Sequence, residues 1–231
     1  MLHYHGTPLT PRAELRKLAG RHFCVSFAAP QDADECLRIG QSVMWDSGAY
    51  SAFTRGHAVN WDKYYAWLEP RLGGENWAVI PDVIDGSVED QRALAGCWPY
   101  PNVAGAPVWH MALPIDYLLE IADNWPRICF GSSGRYWQVG SDSWCRRADA
   151  AFDALARRGH LPWLKVHMLR GLALAGDRWP FASADSANVA RNFKNSGART
   201  CPERMARRID AVQGPLHWVG RSTPEGLFDA A

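Results

Sequence analysis

The sequence predicts an α/β protein, a compact (β/α)8 barrel of the TIM type with parallel strands. Short apolar runs alternate along the chain with amphipathic or polar stretches, and strands that alternate with helices are typical of parallel βα units. Eight such runs within 231 residues favour a small barrel built from eight units. An open sheet of six or seven strands is the structural alternative.

The predicted strands occupy 22–28, 41–46, 77–82, 104–110, 127–132, 162–168, 180–185 and 216–221. Helix candidates lie between them, at 31–39, 60–71, 87–96, 114–123, 143–158, 187–194 and 202–212. No strand is followed by a glycine-rich dinucleotide or phosphate-binding pattern. No repeat, low-complexity segment or linker divides the chain. We therefore expect one domain over residues 1–231.

The composition is that of a folded protein rather than a disordered or membrane-spanning one. Hydrophobic residues make up 47% of the chain and charged residues 21%, which argues against disorder. No apolar run approaches the ~18–20 residues that cross a bilayer. The N-terminus lacks the basic-then-apolar layout of a signal peptide. We expect a soluble, cytoplasmic protein without membrane contact.

The cysteines do not form a metal site or a disulfide framework. They lie at 24, 36, 97, 129, 145 and 201, with no CxxC pair and no Cys/His cluster of zinc-ligand spacing. We expect all six to be reduced and structural, and we expect no metal or cofactor.

Polar or glycine-rich segments follow six of the eight predicted strands, and in a barrel of this kind chemistry takes place at the C-terminal ends of the strands. These segments are Asp46-Ser47-Gly48, Asp82 with Asp85, His110, Gly131-Ser132-Ser133-Gly134, His167 with Arg170, and Asp185-Ser186. A buried carboxylate costs several kcal/mol unless it is paired. Three carboxylates at one rim therefore favour a catalytic pocket.

Each residue alone also has a structural interpretation. The alternatives are a turn or helix N-cap at 46–48, an Asx-type turn at 82–86, a helix cap at Asp185, and satisfied core histidines at His110 and His167.

Two carboxylates at a barrel mouth can act on an acetal carbon. One attacks the anomeric carbon while the other protonates the leaving group and later deprotonates the incoming one. This two-step displacement needs the carboxylates about 5–5.5 Å apart. A metal-dependent hydrolase of the amidohydrolase type is an alternative, but the strand at 22–28 lacks the HxH pair of such a site. His3 and His5 have that spacing and precede the first predicted strand.

The strand-end segments resemble those of one superfamily. Asp46-Ser47-Gly48-Ala49-Tyr50-Ser51 is similar to the DSGGFQ-type segment of tRNA-guanine transglycosylases. It is closer to the DSGAFS form of their phage and bacterial relatives, the DpdA-like 7-deazaguanine DNA transglycosylases. Pro81-Asp82-Val83, Gly131-Ser132-Ser133-Gly134 and Ala184-Asp185-Ser186 resemble later segments of the same superfamily. Their order and approximate spacing match over about residues 40–195.

The resemblance implies a (β/α)8 barrel that replaces guanine in nucleic acid by a free 7-deazaguanine base such as preQ0. Asp185 would attack C1′ of the nucleoside, and Asp46 would act as general acid and base. Asp82 would accept hydrogen bonds from the guanine-like N1–H and exocyclic amine. The base carbonyl would be held by Ser132 and Ser133 with nearby backbone N–H groups. The other residues expected near the substrate are Ser47, Gly48, Asp85, His110, Gly131 and His167.

Two departures from the tRNA enzymes favour DNA as the substrate. The sequence does not contain the Cys-x-Cys-x2-Cys…His pattern of their C-terminal zinc subdomain, so we expect no such subdomain, and the sequence is much shorter than theirs. RNA stays an alternative because the distinction depends on a single 2′-OH contact. The net charge is only +1, so phosphate binding would need a local basic surface. The candidates are Arg170, Arg191 and Lys194, with Arg55, Arg135 and the basic run 191–208, which a solvated helix face would also explain.

Three other functions are compatible with parts of the sequence. An N-glycoside hydrolase would use the same two aspartates, with water in place of the incoming base. Tyr4-His5-Gly6-Thr7 is a weak match to NAD-dependent ADP-ribosyltransferases. A nucleic-acid-binding module without activity would need the basic residues but not Asp46 or Asp185.

Overall fold

Nine strands pair in parallel into one sheet of the computed structural model, which describes residues 1–161, 163–171, 176, 178–194 and 201–220. The strands are β1 (Leu2–Gly6), β2 (His22–Ser26), β3 (Ser42–Asp46), β4 (Trp77–Val79), β5 (Gly105–Ala106), β6 (Val108–His110), β7 (Arg127–Gly131), β8 (Lys165–Met168) and β9 (Ser183–Ser186). They are ordered β5-β4-β3-β2-β1-β9-β8-β7-β6 in the sheet.

The two edge strands, β5 and β6, are consecutive in the chain and separated only by Pro107. Ala106 accepts a hydrogen bond from Ile80 N–H beyond β4 (3.0 Å), and Pro107 accepts one from Cys129 N–H in β7 (2.8 Å). Residues 106 and 107 therefore accept hydrogen bonds from segments that belong to the two opposite edges of the sheet. These hydrogen bonds nearly close the sheet into a barrel. The predicted TIM-type α/β barrel is confirmed, with the predicted strand at 104–110 divided at a proline that has no N–H to donate.

Helices follow most of the strands. They are α1 (Ala33–Ile39), α2 (Ala49–Arg55), α3 (Trp61–Leu68), α4 (Val88–Gly96), α5 (Ile115–Asn124), α6 (Asp142–Arg158), α7 (Asn188–Asn192) and α8 (Pro202–Asp210). Short 3-10 helices cover Arg12–Leu18, Pro30–Asp32, Glu69–Arg71, Asn102–Ala104 and Gly134–Tyr136. Every predicted helix overlaps an observed one. Helix α2 was not predicted, because its exposed Tyr50 and Phe53 give it no apolar face directed at the core.

The prediction of a strand at 216–221 is wrong: residues 216–220 form no strand, and residue 221 lies outside the described residues. Trp218 instead packs on Phe152 of α6 and donates to Asp153 through Nε1 (2.7 Å). The missing unit is β1, which inserts between β2 and β9. Strand β8 begins at Lys165, and Pro162 at the start of its predicted range is outside the described residues.

The barrel interior is layered. An apolar cluster in its middle consists of Tyr4, Cys24, Met44, Trp77, Val79, Ala106, Val108 and Cys129. Two larger clusters include the opposite, outward faces of the strands and the helices packed on them. Because strand side chains alternate between two faces, the residues two positions beyond the middle layer also point into the barrel, at its C-terminal end. This alternation directs Asp46 and Asp185 into the interior.

All six cysteines are free thiols, and three of them, Cys24, Cys36 and Cys129, are buried. In the described part of the chain, no helix combines the length and the apolar character that crossing a membrane requires. The cytoplasmic location stays a prediction.

Candidate functional site

A cavity of about 240 Å³ opens at the C-terminal ends of the strands. Eight of the residues predicted from the sequence line it: Asp46, Ser47, Asp82, His110, Gly131, Ser132, Arg170 and Asp185. The structure thus brings segments that are distant in sequence to one place, as expected for the C-terminal face of a barrel.

Asp46 ends β3 at the wall of this cavity. Its Oδ2 accepts a hydrogen bond from Gly48 N–H (3.2 Å), and Ser47 Oγ accepts one from Ala49 N–H (3.3 Å). Gly48 adopts φ +78° to start α2, so the turn interpretation of this segment is also correct. Burial raises the pKa of Asp46 to about 6. The negative charges of Asp185 and Asp82 also raise this pKa, whereas a hydrogen bond from Ser26 lowers it.

Asp82 and His110 form a buried pair. His110 Nε2 lies 2.9 Å from Asp82 Oδ2, and Ser47 Oγ donates to Asp82 Oδ1 (3.4 Å). His110 Nδ1 is buried without a hydrogen-bond partner among the described residues. A Cβ added at Gly131 would lie 3.0 Å from that nitrogen, so the glycine lets the imidazole pack against the β7 backbone. One face of the cavity therefore presents a carboxylate whose position is fixed by His110 and Ser47.

Asp185 lies near the end of β9, and two donors hold one of its carboxylate oxygens. Its Oδ1 accepts from Arg170 N–H (2.8 Å) and lies 3.3 Å from His167 Nε2. Burial lowers the pKa of His167, so the ring is neutral at pH 7 and has one N–H. That N–H donates to Asp185 from Nε2, and Nδ1 accepts from Ser183 Oγ at 2.8 Å.

Arg170 has a second role at the mouth of the cavity. Its backbone has a positive φ of 57°, a conformation that non-glycine residues seldom adopt. Its guanidinium carbon lies 4.0 Å from the centre of the Tyr50 ring, where a cation is attracted by the face of an aromatic ring. Arg170 thus fixes Asp185 through its backbone and closes one side of the mouth with its side chain.

The loop after β7 supplies hydroxyl groups. Ser132 Oγ accepts a hydrogen bond from Trp144 Nε1 (3.0 Å), which leaves the Ser132 hydroxyl proton available to a ligand. Ser133 is also buried, and its Oγ has no partner among the described residues. Ser133 does not line the cavity.

The remaining predicted residues lie outside the cavity lining. His167 is fully buried beneath Asp185, and Asp85 is exposed in the turn before α4. Gly48 and Arg55 line a neighbouring groove. The other expected phosphate contacts, Arg135, Arg191 and Lys194, are exposed side chains, and Arg199 of the basic run lies outside the described residues.

The structural alternative for Asp185, a helix cap, does not apply. Ser186 Oγ accepts the hydrogen bond from Asn188 N–H at the start of α7 (2.9 Å), whereas Asp185 points into the cavity. Several lining residues were not predicted from the sequence, among them Gly6 at the end of β1, Thr7 after it, Ser26 at the end of β2, and Tyr50 on α2. The alternation of apolar and polar residues in Leu2-His3-Tyr4-His5-Gly6 was the sequence signal for strand β1, and therefore for Gly6 and Thr7 at its end.

Within the described ranges, no group of three or more His, Cys, Asp or Glu side chains is arranged to hold a metal ion. No family model matches the chain, and neither a curated protein nor a solved structure with significant similarity was found. Fold and site together define an α/β barrel with a carboxylate-rich pocket at the C-terminal ends of its strands.

Proposed function

We propose that this pocket exchanges a purine base of a nucleic acid, replacing guanine in DNA by a free 7-deazaguanine through a covalent glycosyl–enzyme intermediate. The observation that carries the proposal is the different environment of two carboxylates in one cavity. Asp46 has its pKa raised to about 6, whereas Asp185 accepts hydrogen bonds from two N–H groups. A carboxyl group that holds its proton near neutral pH suits the role of the acid, and a carboxylate oriented by two donors suits the role of the nucleophile.

In the first half-reaction, Asp185 attacks C1′ of the target nucleoside. A C1′–O bond forms, the C1′–N9 bond breaks, and its electron pair passes to the departing guanine. Protonated Asp46 donates its proton to the purine, so that guanine leaves neutral. His167 and the Arg170 backbone N–H hold the Asp185 oxygen that does not attack, which orients the other oxygen towards the cavity.

The second half-reaction reverses these steps with a new base. The incoming 7-deazaguanine loses its N9 proton to the Asp46 carboxylate and attacks C1′. The bond from C1′ to Asp185 breaks, and its electron pair returns to the carboxylate. Asp46 ends protonated, ready for the next guanine. A group with a pKa near the working pH serves best in both directions.

Base selection would rest on Asp82 and Ser132, which line the same cavity. Asp82 would accept hydrogen bonds from the N1–H and exocyclic amine of guanine, a pattern that adenine does not offer. Its position is fixed by His110 and Ser47. The Ser132 hydroxyl proton, left free by the Trp144 indole, is suited to donate to the base carbonyl. A buried site with fixed donors and acceptors rejects bases that leave them unpaired.

A base inside a duplex cannot reach such a cavity, so the target nucleotide would have to leave its stack. Arg170 at the mouth, together with the exposed Arg55, Arg135, Arg191 and Lys194, would contact the phosphates. Contacts of this kind are independent of sequence and weaken with salt.

The experiment is nucleoside mass spectrometry of DNA incubated with the protein and preQ0. Wild-type protein should produce a 7-deazaguanine nucleoside and release guanine. Asp185→Asn should produce neither, and Asp116→Asn, which changes an exposed carboxylate on α5, should match the wild type. Guanine release without incorporation would replace base exchange by N-glycoside hydrolysis. A product from tRNA but not DNA would reassign the substrate, and no change in either would refute the proposal.

A further inference from the structure

A second cavity, of about 270 Å³, lies at the opposite end of the barrel, where the strands begin. Its lining includes Tyr4, His22, Ser42, Glu75, Arg127 and Lys165. The apolar middle layer, including Met44, Cys129 and Val79, separates it from the carboxylate pocket. The two cavities share no lining residue.

The polar character of this end is unusual for a barrel interior, which is normally filled by apolar, branched side chains. Strand register places Arg127 beside Lys165, and His22 beside Ser42. Residues opposite each other on neighbouring strands point to the same side of the sheet. Two cations are thus directed into the same end of the barrel from adjacent strands.

Arg127 is only partly exposed, and the carboxylate whose charge acts on it, Glu75, forms no ion pair with it among the described residues. Its guanidinium carbon lies 4.5 Å from the centre of the Trp77 ring. Its Nε is buried without a hydrogen-bond partner, and no described carboxylate forms an ion pair with Arg127 or Lys165. Glu75, the carboxylate among the lining residues, is exposed. Burial lowers the pKa of Arg127, while the charge of Glu75 and a hydrogen bond from the guanidinium to Tyr4 oppose that shift. A guanidinium keeps its charge in a protein.

Tyr4 adds an independent observation. Its side chain is 2% exposed, and its hydroxyl oxygen accepts hydrogen bonds from Trp77 Nε1 (2.9 Å) and Ser42 Oγ (3.3 Å). The Tyr4 hydroxyl proton is then left without an acceptor among the described residues, although Tyr4 lines the cavity. Buried donors are nearly always paired, so the cavity lacks an acceptor.

We propose that this cavity binds a small oxyanion, a phosphate group, between Arg127 and Lys165. The guanidinium and the ammonium supply two positive charges that match a phosphate dianion, and an arginine fork fits its oxygens. The Tyr4 hydroxyl donates to a third oxygen. This site is independent of base exchange and would exist whatever the carboxylate pocket does.

The test is titration of the intact protein with inorganic phosphate, followed by calorimetry and by thermal unfolding. Ionic strength is held constant with chloride, so that screening does not change. Phosphate should bind and raise the unfolding temperature, because a ligand that binds only the folded state stabilises it. Chloride added to the same ionic strength should have no comparable effect.

Two variants locate the site. Arg127→Met should weaken phosphate binding at least about tenfold, the loss expected for one charge-assisted contact. Lys165→Met changes a side chain at the exposed start of β8, so it keeps the test valid if Arg127→Met fails to fold. Arg158→Met, which removes an exposed arginine paired with Asp123, is the matched control and should bind as the wild type does. Absence of binding, equal effects of chloride, or full binding by Lys165→Met would overturn the proposal.

Discussion

Replacing Asp46 by asparagine should stabilise the protein at neutral and alkaline pH and change its stability little in acid. The asparagine keeps an oxygen that can accept from Gly48 N–H, as Asp46 Oδ2 does at 3.2 Å, and it removes the charge. In the folded wild type, burial and the neighbouring carboxylates raise the pKa of Asp46 from 3.8 to about 6. The folded state therefore holds the proton to higher pH than the unfolded chain does.

The sign follows from proton linkage. Between the unfolded and the folded pKa the native state binds more protons, so the wild type loses stability as the pH rises. Above the folded pKa the loss is complete. With 1.36 kcal/mol for each pH unit, a shift from 3.8 to about 6 corresponds to about 3 kcal/mol. The gain of Asp46→Asn over the wild type should grow by about 2–3 kcal/mol between about pH 4 and about pH 8.

The assay is urea unfolding of the wild type and variant across that pH range, with free energies extrapolated to water. Asp85→Asn removes an exposed carboxylate at the same end of the barrel and controls for the loss of one charge. The difference between the free energies of unfolding of the wild type and the variant at each pH cancels the contributions of the titratable groups that the two proteins share. A stability difference that stays constant with pH, or falls as the pH rises, would refute the claim that the fold holds Asp46 protonated.

Three further substitutions test the surrounding geometry. Gly48→Ala should lower the free energy of unfolding by about 1–2 kcal/mol, because Gly48 has φ +78°. Gly131→Ala should cost about 1–3 kcal/mol and reduce base exchange, because its Cβ would lie 3.0 Å from His110 Nδ1. Tyr4→Phe should cost about 1–3 kcal/mol, because Trp77 Nε1 loses its acceptor. Urea unfolding measures all three, and the nucleoside assay measures exchange by Gly131→Ala.

Gly96→Ala is the matched control for the glycine substitutions. Gly96 ends α4, and an added Cβ there would meet nothing within 4 Å, so the change should be neutral or stabilising. Equal costs for Gly48→Ala and Gly96→Ala would argue against backbone strain at Gly48. Full exchange activity in Gly131→Ala would show that the position of His110 does not matter. Unchanged stability in Tyr4→Phe would mean that the Trp77 indole finds another acceptor.

Periodicity was sufficient to predict the strands from 22–28 to 180–185, because each is a short apolar run between polar stretches. Strand β1 escaped it because His3 and His5 occupy its outward face. Their partners are Val212 O (2.7 Å) and Asp210 Oδ1 (2.9 Å), more than 200 residues away in the chain. These hydrogen bonds allow the two histidines to be buried. Because the partners are so distant in the chain, no local sequence pattern predicts the hydrogen bonds.

The aspartates of the site were predictable because each lies at or just beyond the C-terminal end of a strand. The strands of a parallel barrel end on one face. The histidines with which these aspartates pair were not predictable from the sequence. The pairing of Asp82 with His110 and of Asp185 with His167 depends on which strands are neighbours and on their register. The raised pKa of Asp46 likewise depends on its burial and on two carboxylates from other strands. Such properties are set by tertiary packing.

The most direct test of the account is detection of the covalent intermediate on Asp185. Wild-type protein is incubated with guanine-containing DNA without a free incoming base, denatured, and examined by gel and by peptide mass spectrometry. We predict a DNA adduct that maps to Asp185, disappears when preQ0 is added, and is absent in Asp185→Asn. An adduct on another residue, or one that persists in Asp185→Asn, would contradict the assignment. Base exchange that proceeds without any adduct would contradict the mechanism.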